Sequence, residues 1–125
     1  MELHGGLYGA DKMRTLASHG FGIHLCEREA FGVAVAEMAQ AGVVAFVPAD
    51  SAPVEIVADK RLTFAGVSDA IECIDHVLRD ADALASIRSR LNEQAKLFSA
   101  KQYVASLRQL VAEQLVKAAA APASM

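Results

Sequence analysis

From Val33 to Pro48 the chain carries only two polar side chains, Glu37 and Gln40, and one glycine, Gly42, divides the run. The first part, Val33 to Ala41, alternates small residues with valine and methionine and reads as a helix stopped by Gly42. The second part, Val43 to Val47, is apolar throughout and closes at Pro48. A strand without polar alternation is the kind that helices cover on both faces, so it belongs to a parallel sheet. A helix feeding such a strand is half of a layered α/β unit, and this pair limits the folds open to the chain.

The flanking segments fit that frame. Met1 to His4 reads as a short strand ending at Gly5-Gly6, and Asp11 to Ser18 as a helix with Met13, Leu16 and Ala17 on one side. Phe21, Ile23 and Leu25 alternate with Gly22 and His24, which predicts a strand over 21–25. Pro53 suits the start of a helical turn through Glu55-Ile56-Val57, and Leu62-Thr63-Phe64 is a brief last strand. Beyond it the chain is helical. Ser68 is the expected cap of a helix burying Ile71, Ile74, Val77 and Leu78. A second helix from about Asp82 places Leu84, Ile87, Leu91 and Ala95 on one stripe. Ser99 with Gln102 resembles a capping box that opens a last helix through Tyr103, Val104, Leu107, Leu110, Val111 and Leu115. That stripe is shorter than three heptads, so packing into the core is expected rather than a coiled coil. Residues 1–116 thus form one α/β domain with a mainly parallel sheet and a helical end, and residues 117–125 a flexible tail.

Charge and cysteine usage exclude several functions. A net charge of -3 offers no basic field, so no nucleic acid partner is expected. No apolar run reaches the roughly 20 residues of a membrane helix, and no signal peptide is read at the start, so a cytoplasmic setting is expected. His24 and Cys26 share a strand face, but no second pair has zinc-like spacing and no His–carboxylate relay accompanies Cys26, so neither a metal nor a nucleophilic cysteine is expected. Lys60-Arg61 reads as a solvated turn.

In open parallel sheets ligands sit beyond the carboxyl ends of the strands. The loop from Cys26 to Ala30 leaves the 21–25 strand at that end and carries Glu29, and Glu37 follows after seven intervening residues. The amides that open the next helix have no helical acceptor, and together with the positive helix end they favour a diphosphate. Gly32 would let a ligand approach the backbone closely. Carboxylates accept paired hydroxyls, so one on each side of a phosphate site would suit a nucleotide-sugar. Spacing alone leaves a second reading open, in which Glu37 and Gln40 are the solvated stripe of the helix and Glu27-Arg28-Glu29 is an exposed charged loop.

The run Gly22-Ile23-His24-Leu25, then Glu27-Arg28-Glu29-Ala30-Phe31-Gly32-Val33-Ala34-Val35-Ala36-Glu37-Met38-Ala39-Gln40-Ala41-Gly42, resembles the retaining nucleotide-sugar glycosyltransferases of the large group-1 family, which have the GT-B fold. Pro53-Val54-Glu55-Ile56-Val57 and Phe98-Ser99 resemble later segments of that family, so the likeness runs from about Glu2 to Val111. It implies a Rossmann-like fold and a catalytic-centre role for Glu29 against the transferred sugar's hydroxyls. It also implies backbone contacts from Phe31, Gly32 and Val33 to the sugar and diphosphate, and ribose binding by Glu37. The implied donor is a UDP-, GDP- or ADP-sugar, transferred with retention and with neither metal nor cofactor. Ser51-Ala52 stands where the family usually has two glycines. The family's N-terminal acceptor domain, and the first strands of its C-terminal domain with their Arg/Lys pair, have no counterpart here. The expectation is therefore an incomplete domain, inactive alone, that belongs to a longer protein or assembles with a partner or a second copy. The alternative is a non-catalytic α/β module related to such transferases.

Overall fold

The structure is a computed structural model that describes residues 4–120. In chain order it comprises α1 (Gly9–Ala17), β1 (Phe21–Ile23), α2 (Val33–Gln40), β2 (Val44–Pro48), α3 (Val54–Val57), a 3₁₀ turn (Lys60–Leu62), β3 (Thr63–Phe64), α4 (Val67–Arg79), α5 (Ala81–Leu97) and α6 (Ala100–Ala120). The strand expected at Met1 to His4 lies outside the described residues except for His4, which is in irregular chain.

The three strands form a parallel sheet in the order β1-β2-β3. β1 pairs along the first half of β2, with Ile23 opposite Phe46, and β3 along its end, with Pro48 opposite Phe64. β2 is therefore the centre of the molecule, and each of its five residues is buried. α5 lies across α2, α3 and β2 and supplies Ile87 and Leu91 to the core made by Val35, Phe46, Ile56 and Val77. The fold is thus mixed α/β, a small parallel sheet with flanking helices, as the apolar 43–47 run required.

Local chemistry moved several boundaries. Leu25 lies beyond β1, and Leu62 belongs to the 3₁₀ turn, where it is fully buried. Gly66, not Ser68, is the N-cap of α4. The donor just ahead of that helix, Ala65 N–H, is taken by the Asp69 carboxylate at 2.7 Å, so no hydroxyl is needed there. Of the four side chains expected to be buried on this helix, Val77 is fully buried and Ile74 partly so, whereas Ile71 and Leu78 are exposed. α5 starts one residue ahead of Asp82 because Asp80 accepts from Ala83 N–H at 2.8 Å.

The largest correction concerns α6. Ser99 does cap it, accepting from Gln102 N–H at 3.2 Å, but its apolar residues do not enter the core. Tyr103, Val104, Leu107, Leu110, Val111 and Leu115 are all exposed. The helix also continues to Ala120, across the expected start of the tail at Lys117. No helix among the described residues is long and apolar enough to cross a membrane.

Candidate functional site

The carboxyl ends of β1, β2 and β3 open into three loops on one side of the sheet. The loop after β1 holds Glu27, Arg28 and Glu29, and with Asp50, Ser51 and Glu55 it lines a cleft of about 560 Å³. A neighbouring, more apolar groove of about 860 Å³ runs from Leu25 past Pro48 and Phe64 to Ile71 on α4. A third concavity, about 880 Å³, sits away from the strand ends between α4 and the start of α5. Asp69, Glu72, Asp75, Asp80 and Asp82 line it together with Arg61, His76 and Arg79. The strand-end cleft is acidic as well, with Glu27, Glu29, Asp50 and Glu55 against Arg28, so its place at the carboxyl ends of the strands, not its charge, distinguishes it.

Glu29 is fixed by the chain on either side of it. Its carbonyl accepts from Ala52 N–H at 3.3 Å, which ties the β1 loop to the β2 loop. Its Oε1 accepts from Phe31 N–H at 3.3 Å, and its Oε2 faces His24 Nε2 at 3.6 Å. His24, the residue after β1, is held to β2, since its N–H donates to Phe46 O at 2.9 Å. Its Nε2 is the buried side-chain polar atom that lacks a hydrogen-bond partner among the described residues.

Gly32 makes the turn from this loop into α2. It sits in the left-handed region at φ 94°, and a Cβ there would stand 2.5 Å from Pro53 Cγ. The close approach expected toward a ligand is thus made to Pro53, so glycine is required by the fold itself. α2 begins at Val33 with no side-chain cap, so the amides of its first turn have no side-chain acceptor. The Phe31 ring is half-exposed and meets Phe98 edge-on, with ring centroids 6.0 Å apart. Val33 is exposed as well.

Glu37 has different surroundings. It lies one turn into α2 and accepts from Lys12 Nζ of α1 at 2.5 Å, with 26% of its side chain exposed. Gln40, on the same face, donates to Phe98 O at 3.2 Å. The pair is therefore more than a solvated stripe, because each member bonds to another element. Nothing in the sequence marks Lys12 or Phe98 as their partners, since 25 and 58 residues separate the pairs.

The chain matches none of the protein-family models, curated proteins or solved structures with which it was compared. The site is therefore read from its own geometry.

Arg61, expected as part of a solvated turn, has a structural role. Its Nε and Nη2 donate to Asp59 Oδ1 and Oδ2 at 2.9 and 2.6 Å, and its N–H also reaches Oδ1. Arg90 of α5 approaches the same carboxylate at 3.5 Å. Asp59 is buried, and the Arg61 guanidinium beside it holds its carboxyl below the usual carboxylate range. The cluster pins the entry to β3 against α5, away from the cleft.

Proposed function

We propose that this chain is the nucleotide-sugar-binding half of a retaining glycosyltransferase of the group-1, GT-B type. One observation carries the reading: Glu29 stands at the carboxyl end of β1, oriented by the Phe31 amide, beside the uncapped start of α2. An anionic diphosphate at that helix end would meet open N–H donors and the positive end of the helix dipole. Charge developing on the leaving diphosphate would be stabilised by donors already in position. Glu29 would accept from hydroxyls of the transferred sugar, and the amides of Gly32 and Val33 would contact sugar and diphosphate, joined by that of Phe31 only if it leaves Glu29 Oε1. Glu37 would take the ribose hydroxyls, for which Lys12 has to share or release one carboxylate oxygen. Acceptor binding would come from a domain or partner beyond these residues, and the chain alone would not turn over.

A second reading, a non-catalytic module related to such transferases, draws on the 49–53 loop. Ser51 Oγ donates to Pro48 O at 2.7 Å and Ala52 N–H to Glu29 O, so this loop is closed upon itself and the neighbouring turn. Titration calorimetry with UDP, GDP and ADP separates the two readings. The transferase reading expects heat from at least one of them and about a tenfold loss of affinity, ~1.4 kcal/mol, on Glu37→Ala. Silence with all three, in a protein whose circular dichroism shows it folded, supports the module.

A further inference from the structure

We propose that His24, Cys26 and Glu29 form a binding site for a borderline-soft divalent cation such as Zn²⁺. Their donor atoms (an imidazole nitrogen, a thiol sulfur and a carboxylate oxygen) all lie within 4.8 Å of one another. The 3.6 Å between His24 Nε2 and Glu29 Oε2 is too long for a hydrogen bond. It is close to the separation of about 3.4 Å that two ligands 2.0–2.2 Å from a tetrahedral zinc ion must have. Nε2 is also the buried polar atom that the fold leaves unpartnered, a cost that a bound cation would remove.

The supporting bonds suit a ligand set. Phe31 N–H occupies Glu29 Oε1 and leaves Oε2 turned toward the imidazole, as outer hydrogen bonds do around metal ligands. The β1–β2 ladder fixes the His24 backbone, while Cys26, free and exposed, supplies the mobile third donor. A nitrogen–sulfur–oxygen set selects zinc-like ions over Mg²⁺ and Ca²⁺, which prefer all-oxygen shells. Three protein ligands leave a fourth position open to water or another ligand.

This site does not depend on the transferase reading, because two of its three ligands, His24 and Cys26, have no part in that scheme. The two readings share Glu29, so a bound ion would compete with a sugar donor.

The test is titration of the full chain with Co²⁺ and Zn²⁺. Cobalt bound at this site gives a near-ultraviolet thiolate-to-metal charge-transfer band that saturates at one equivalent and is displaced by Zn²⁺. Cys26→Ser abolishes the band, and Cys73→Ser, at the half-buried thiol that burial pushes up, leaves it intact. His24→Gln and Glu29→Gln each weaken zinc binding by about tenfold or more, since even outer-shell changes cost 10- to 100-fold. Mg²⁺ and Ca²⁺ do not displace the cobalt. The absence of a charge-transfer band in the folded chain, or a band that survives Cys26→Ser, overturns the proposal.

Discussion

Gly32 joins two requirements in one residue: a left-handed backbone and a side chain too small to strike Pro53. A methyl group would incur the left-handed penalty of about 1–2 kcal/mol and also push α3 off α2. Gly32→Ala should therefore destabilise by about 2 kcal/mol or more, read from urea denaturation midpoints. Asp59 is the second residue on which stability depends. Its folded-state pKa lies below the unfolded value of about 3.9, so its contribution is complete above about pH 5 and fades as pH falls through the folded value. Asp59→Asn should cost about 2 kcal/mol at pH 7, and the gap to the unmodified protein should shrink toward pH 3. The sequence marked Gly32 as special through an expected ligand approach, while its packing against Pro53 depends on α3 and was not visible there. It gave no sign of Asp59, because a buried carboxylate looks like a surface one until its two arginines are placed around it.

Among the elements, the sequence was most legible where burial is complete. β2 could be read directly because an unbroken apolar strand has to be covered on both faces. The α5 stripe was also correct at Ile87 and Leu91. α6 was not, for a physical reason: periodicity shows that a helix has an apolar side but not whether anything covers it. Truncation separates the two cases. Ile87→Ala, which opens a cavity in the core, should cost about 3 kcal/mol, and Leu107→Ala or Leu110→Ala on exposed α6 less than about 0.5 kcal/mol, by thermal or chemical denaturation. Capping gives a second contrast. Asp80→Ala removes the acceptor for Ala83 N–H and should cost about 1 kcal/mol, whereas Ser68→Ala, inside α4, should be close to neutral.

At the scale of the whole molecule, three parallel strands bring their carboxyl ends together, and the site lies where an open sheet presents its ligands. Its parts were partly legible from the order of elements, since a loop leaving a strand at that end has to face the cleft. Pairing across the molecule was not, because Lys12 meets Glu37, and Phe98 meets Phe31, only through the packing of α1 and α5 on α2. β1 is the least finished part of the sheet, with Phe21, Ile23 and Leu25 exposed beside it. The central claim is that the start of α2, with Glu29 alongside, holds a nucleoside diphosphate. The most direct measurement is a ¹H–¹⁵N correlation spectrum of the chain titrated with UDP, GDP and ADP. The account predicts saturable shifts of the Phe31, Gly32 and Val33 amides with at least one of the three. Unmoved resonances for these amides, or shifts confined to the acidic groove between α4 and α5, would contradict it.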